Sequence, residues 1–396
     1  MQPQVSPLPN GATQDASAAW GPVFALALAA FALVASEFMP VSLLSPIASD
    51  LRISEGQAGQ AIAVSGAFAL VTSLCVARLA GRLDRKVLLL GLTLMMIVSG
   101  TIAAFAPNYA VFMAGRACIG VAIGGFWSMS AATAMRLVPD RLVPRALAIV
   151  NGGNALATVV AAPAGSFLGA LVGWRGAFFA IVPVAALAFT WKFVSLPALP
   201  ATADARSGSV FALLKRPAVA YGMAGVSLFF MGQFALFTYL RPFLETVTHA
   251  SVTTLTGMLL AIGIAGFLGT TCIGAVLDHH LYRTLAVIPL VMAVLAGALV
   301  AFGGSTAIVA VLLAVWGFVA TAAPVGWWTW LARTLPDDAE AGGGLIVAVV
   351  QLAIGLGATL GGVLFDAWGF RATFGLAALL LVIAAALARK AARAQV

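Results

Sequence analysis

Twelve stretches of the chain are apolar over about the twenty residues that a helix needs to cross a bilayer: 21–44, 57–77, 87–106, 109–135, 145–171, 175–194, 217–240, 253–276, 284–303, 306–332, 342–365 and 371–388. Nothing else in the sequence constrains the fold as strongly. The surface demands the same answer: 62% of the 396 residues are hydrophobic and 9% are charged, whereas a soluble domain carries about 25% charged residues. The expected fold is an all-α polytopic membrane protein with 12 transmembrane helices.

The longest polar connection, SLPALPATADARSGSVFALLKRP (195–217), lies between the sixth and seventh runs. It divides the chain into a tail (1–20), a six-helix bundle (21–194), a linker (195–216), a second six-helix bundle (217–388) and a tail (389–396). With the N-terminus placed in the cytoplasm, all of the 21 Lys and Arg except Arg52, Arg116, Arg175, Arg241 and Arg371 fall in or beside cytoplasmic segments. That is the positive-inside pattern with an even number of crossings. The +8 net charge therefore follows from topology, and no nucleic-acid partner is expected. Residues 1–20 hold no Lys or Arg and precede a run longer than a signal-peptide core, so the first run is expected to stay as a span. Cys75, Cys118 and Cys272 have neither CxxC nor metal-ligand spacing. Free thiols and no metal site are expected.

The two halves repeat. At a shift of 197, RLVPD (136–140) meets RTLPD (333–337), Lys86 meets Arg283 and Asn154 meets Gln351. At a shift of 196, WRGAF (174–178) meets FRATF (370–374). Several matches in one register argue for a duplicated six-helix unit and two pseudo-symmetric bundles, a transporter architecture.

These stretches resemble motifs of the major facilitator superfamily, in its twelve-span drug:proton antiporter branch. ARLAGRLDRKVLLL (77–90) is similar to that family's loop after span two, and GAVLDHHLYR (274–283) is the second copy. GRACIGVAIGG (115–125) resembles the span-four motif, and AAPAGSFLG (161–169) a degenerate span-five antiporter motif. The resemblance implies a cytoplasmic latch formed by Arg82, Asp84, Arg85 and Asp278. The first copy departs from the pattern, with Gly81 and Asp84 at the places of the usual Asp and Gly. Longer stretches, EFMPVSLLSPIASDLRISEGQAGQ (37–60), GRACIGVAIGGFWSMSAATAMRLVP (115–139) and GGGLIVAVVQLAIGLGATLGGVLFD (342–366), look like bacterial inner-membrane purine ribonucleoside efflux pumps. That likeness implies proton-driven export of purine ribonucleosides such as inosine by alternating access. The expected partners are a small-molecule substrate, protons and the lipid bilayer. The carrier is expected to be a monomer with no cofactor beyond the proton gradient.

The run FALVASEFMPVSLL (31–44) carries one carboxylate, Glu37, where a charge costs several kcal/mol. On the reading of 21–44 as the span, it lies about 10 Å from the outer end, and Arg116 lies about 10 Å into span four from the same side. Burial favours the neutral form of a carboxylate and a nearby cation favours the charged form, so an acid between those influences can load and release a proton. The bland reading is a fixed ion pair orienting two helices, or an acid facing an outer vestibule. Arg116, Gly120, Gly124 and Trp127 share one stripe of span four. Trp127 is a candidate to stack on a purine, or a packing residue. Asn151, Asn154 and Thr158 share one face of span five. Asn154 and Gln351 are repeat-related and are expected to face one another, reading a nucleobase edge or bonding helix to helix. Gln233 and Phe234 complete the candidate substrate set, Phe234 being the repeat mate of Glu37. Trp327, Trp328 and Trp330 read better as an interfacial belt than as a stacking platform.

The chain has no HExxH, GxSxG or GxxxxGK[ST], so metalloprotease, serine-hydrolase and ATP-driven chemistry find no support. An enzyme is not expected. A channel fits the duplicated bundle and the buried acid less well than a carrier. Within carriers, an exporter of drugs, sugars or amino acids is the alternative.

Overall fold

In hydrocarbon a backbone must satisfy its own polar groups, and an apolar run of this length does so as a helix. The computed structural model describes residues 19–80, 83–200, 210–335 and 339–394. Its helices are α1 (Trp20–Leu51), α2 (Glu55–Ala80), α3 (Arg85–Ala104), α4 (Tyr109–Arg136), α5 (Val143–Ser195), α6 (Pro217–Thr238), α7 (Leu240–Thr246), α8 (Val252–Phe302), α9 (Thr306–Thr334), α10 (Ala339–Trp368) and α11 (Phe370–Arg393). Polar side chains start several of them. Asn108 caps α4, Ser251 caps α8, and Asp84 caps α3 by accepting from the Lys86 N–H at 2.7 Å.

Two of these helices are each two crossings. The 53 residues of α5 would reach about 80 Å if straight, far beyond a hydrocarbon core of about 30 Å. The chain turns at Gly173, at φ 74° and ψ 167°, a region open to glycine. Gly369, its mate at a shift of 196, turns between α10 and α11 at φ 75°. α8 breaks at His280, at φ −134° and ψ 34°. Among the described residues the crossings number twelve when α6 and α7 are taken as one, so Trp20 and Arg393 lie at the same face of the bundle.

The repeat is also one of packing. A Cβ on Gly120 of α4 would lie 2.3 Å from the Ser65 carbonyl oxygen of α2. A Cβ on Gly317 of α9 would lie 2.3 Å from the Ile262 carbonyl oxygen of α8. Both members of the pair are displaced by 197 residues. Lipid offers no hydrophobic drive to pair helices, so close backbone approach over glycine supplies the contact instead.

Two large cores result. One joins α1 to α5 and the other α6 to α11, each with a single residue contributed from the opposite half. A third, small cluster of Val41, Ile62, Phe234, Ile354 and Ala358 lies between the halves. Trp327 and Trp330 depart from the interfacial reading. They are 1% and 0% exposed and pack against Gly225 and Gly222 of α6. The two glycines leave room for the rings, which a Cβ at either position would meet. Trp328 alone of the three is exposed.

Candidate functional site

A cavity of about 740 Å³ runs between the halves. Glu37, Phe38, Phe234 and Ile354 line its head, and Ala131, Leu147, Ile346 and Trp328 line it near the end that carries the termini. Most of the wall is apolar, with a few amides and one acid, as in small-molecule sites generally.

Glu37 is 5% exposed. α1 continues to Leu51, so Glu37 sits near mid-helix, about 21 Å from the far end of α1 rather than the 10 Å expected from the apolar run. Its Oε1 accepts from Gln351 Nε2 at 3.4 Å, a contact between opposite halves. Gln351 thus reaches the acid, not Asn154.

Arg116 is 1% exposed and does not pair with the Glu37 carboxylate. Its guanidinium donates to main-chain oxygens instead: to Ser36 at 2.8 Å, Glu37 at 3.0 Å and Ala61 at 3.1 Å, and also to the Ser65 hydroxyl at 3.1 Å. The cause is Pro40. A proline has no N–H, so the carbonyl four residues earlier, Ser36, loses its helical partner. Arg116 fills that place. Pro46 orphans the Ser42 carbonyl in the same way, and Arg241 of α7 donates to it. Arg241 also holds Glu245 at 2.8 Å. Sequence reading missed Arg241; a proline inside an apolar run followed by the question of which cation meets the freed carbonyl was the available signal.

The remaining candidates line the cavity. Trp127 does, while Gly120 and Gly124 of the same stripe face α2, so the stripe serves packing as well as the cavity. Asn151 donates to its own helix at the Leu147 carbonyl, 2.9 Å, and lines the wall with Asn154. Gln233 lines it too, and its Oε1 is buried without a hydrogen-bond partner. Phe234 stacks on Phe38, with ring centroids 5.5 Å apart. Phe38 was not anticipated.

Of the four latch residues, the structure describes the side chains of two, Asp84 and Arg85. Arg82 and the Asp278 side chain lie outside the described residues. Asp84 accepts from the Leu199 N–H at 2.9 Å, and the Arg85 N–H donates to the Leu199 carbonyl at 2.9 Å. Both contacts bind the start of the linker to the first half. No group of His, Cys, Asp and Glu among the described residues is arranged to hold a metal ion.

The end opposite the termini is bridged. The Gly56 N–H donates to Asp366 Oδ1 at 2.9 Å, and the Ser54 hydroxyl donates to Oδ2. Thr359 donates to Gln60 at 3.0 Å and Thr256 to Ser166 at 2.9 Å. Tyr239 is fully buried, and a Cβ on Gly59 of α2 would meet its hydroxyl. With the small apolar cluster behind Glu37, these contacts close the far end.

The sequence model of the Major Facilitator Superfamily matches residues 26–355. The chain is 60% identical over 385 residues to the transcription regulatory protein OpdE of Pseudomonas aeruginosa, covering 96% of each. It is 41% identical over 366 residues to the purine ribonucleoside efflux pump NepI of Salmonella enteritidis, covering 92% of each. Among solved structures it resembles a bacterial homologue of the human lysosomal transporter Spinster in an inward-facing, unoccupied conformation, with a TM-score of 0.81, 16% identity and coverage of 95% of this chain and 97% of that one. A D-xylose–proton symporter matches with a TM-score of 0.76, 16% identity and coverage of 94% and 97%. A duplicated twelve-span bundle, a cavity between its halves and a family match across most of its length make this chain a multi-pass membrane transporter that belongs to the major facilitator superfamily.

Proposed function

We propose that this transporter is a proton-driven antiporter that exports purine ribonucleosides such as inosine by alternating access. The observation that carries the reading is the contact between Glu37 and Gln351 at the head of the cavity. A carboxylate and an amide from opposite halves meet between a substrate-sized space and an apolar seal. While Glu37 is charged it accepts a charge-assisted bond. Once protonated it loses that charge and becomes a donor itself. The link between the halves then depends on the proton.

The other lining groups suit a nucleoside. Asn151, Asn154 and Gln233 can donate to and accept from a base edge or ribose hydroxyls. The Phe38–Phe234 pair and Trp127 offer ring faces. The relative named as a purine ribonucleoside efflux pump supports this choice over drugs, sugars or amino acids. The distribution of Lys and Arg supports a cytoplasmic location for both termini, in a bacterial inner membrane, and thus an inward-facing state. Substrate enters from the cytoplasm, and a proton from outside replaces it on the way back. The bundles 21–194 and 217–388 rock about the linker 195–216. Arg82, Asp84, Arg85 and Asp278 engage as a latch when the cytoplasmic end closes.

The test is inosine flux in proteoliposomes with and without an imposed pH gradient. The wild type is expected to move inosine on the gradient. Glu37→Gln is expected to lose the gradient-driven part and keep inosine binding. Gradient-driven flux that survives in Glu37→Gln sinks the role of the acid. No inosine flux in the wild type sinks the nucleoside assignment and calls for a substrate screen.

A further inference from the structure

A groove on the outer edge of the second half has no part in transport as described. It lies between the second crossing of α8 and the last turns of α11, at the end that carries the termini, and holds about 530 Å³. Arg283, Arg389 and Arg393 line it with Tyr282 and Val287, and among the described residues no carboxylate does. None of the three arginines has a hydrogen bond or ion pair with another described residue. Guanidinium groups stay charged in proteins, so three around one space repel each other until an anion joins them.

The first half shows the same positions satisfied from within. At the shift of 197, Lys86 stands for Arg283 and Lys192 for Arg389. Lys192 is fully buried; its Nζ donates to the Thr93 hydroxyl and to the Leu89 carbonyl at 3.4 Å, and lies 5.8 Å from the Phe126 ring. Lys86 lies 5.7 Å from the Phe193 ring. The second-half equivalent of Thr93 is Leu290, which has no hydroxyl. Arg389 therefore faces the groove where Lys192 turns inward.

The groove continues into an apolar strip. Val287 and Val294 lie seven residues apart on one face of α8, and Val382 and Arg389 do so on α11, beside Leu379. All four of these apolar residues are exposed, Val294 at 71%. A free phosphate has no use for such a strip; acyl chains do.

We propose that the groove binds an anionic phospholipid. Its phosphate sits among Arg283, Arg389 and Arg393, whose forked donors match phosphate oxygens, and its chains lie along Val287, Val294, Leu379 and Val382. The site is independent of what the carrier exports.

Native mass spectrometry of the purified full-length chain tests this, with phosphatidylglycerol and phosphatidylcholine offered in equal amounts. The wild type is expected to retain phosphatidylglycerol over phosphatidylcholine by about tenfold or more. The triple variant R283Q/R389Q/R393Q is expected to bring the two lipids to parity. Lys86→Gln, at the equivalent place in the first half, is expected to leave the preference unchanged. If the triple variant does not fold, each single substitution reads the same preference and lowers it several-fold. Equal retention of both lipids by the wild type, or an undiminished preference in the arginine variants, overturns the proposal. Displacement of the bound lipid by inorganic phosphate also overturns it, because the ligand is then a soluble anion.

Discussion

Pro40 and Pro46 each remove one hydrogen bond from α1, and each lost bond is replaced by an arginine from another helix. A buried carbonyl without a donor costs about 1–3 kcal/mol, so Arg116 is a structural necessity of Pro40 before it is anything else. Arg116→Met is expected to lower thermal stability in detergent. Pro40→Ala restores the N–H that the Ser36 carbonyl lacks, so the double variant is expected to recover about 1 kcal/mol relative to Arg116→Met alone. Additive losses in that cycle would show that Arg116 stabilises the bundle by another route. Glu37 was legible in the sequence because a lone charge in an apolar run stands out. The destination of Arg116 was not, because charge was matched with charge while the orphaned carbonyl, equally readable from Pro40, was passed over. Gln351 shows the same limit: the repeat register aimed it at Asn154, and it reaches Glu37 at 3.4 Å. Hence the two amides are expected to separate in kinetics. Asn154→Ala is expected to raise KM for inosine with the pH dependence of flux intact. Gln351→Leu is expected to change that pH dependence. Identical pH profiles in the two variants would remove Gln351 from coupling.

The number of helices and their order were readable, since each follows from a run of apolar residues. Their pairing was not. A span that is apolar all round does not declare which face meets protein and which meets lipid. The decisive contacts are made by residues with no side chain to read, such as Gly120 against α2 and Gly317 against α8. The same holds for Trp327 and Trp330, whose burial depends on Gly225 and Gly222 in another helix. These contacts give the element-scale prediction. A methyl group on Gly120 would collide with a main-chain oxygen that cannot swing away. Gly120→Ala is therefore expected to cost about 1–3 kcal/mol, seen as a lower midpoint of thermal unfolding. Gly297→Ala is the control, because open space surrounds it. Its midpoint is expected to stay level or rise slightly, since alanine is the better helix former. Equal losses at both positions would mean that close packing of α4 on α2 is not what the glycine serves.

At the scale of the molecule, the closed far end sets which way the carrier faces. Two of its contacts are charged and cross between halves. Asp366 of α10 caps the N-terminus of α2, where a carboxylate is favoured by both the free N–H groups and the helix dipole. Arg241 of α7 holds the Ser42 carbonyl of α1. Both contacts bridge the halves across the shut end, so removing either is expected to destabilise the closed state more than one open at that end. A loss of about 1.4 kcal/mol moves a two-state population about tenfold. Asp366→Ala and Arg241→Gln are therefore each expected to shift the carrier toward an arrangement open at the far end. Spin labels on cysteines at Pro107 and Thr246, exposed positions on opposite halves of that end, report the change once Cys75, Cys118 and Cys272 are replaced. The wild type is expected to show mainly the shorter separation, and either variant to gain a longer one. Combined, the two substitutions are expected to shift it further, because the contacts lie on different helix pairs. Distance distributions that match the wild type in both variants would place the closure in the apolar cluster of Val41, Ile62, Phe234, Ile354 and Ala358 instead. The proton would then have to open the cavity by loosening Glu37 from Gln351, directly beneath that seal.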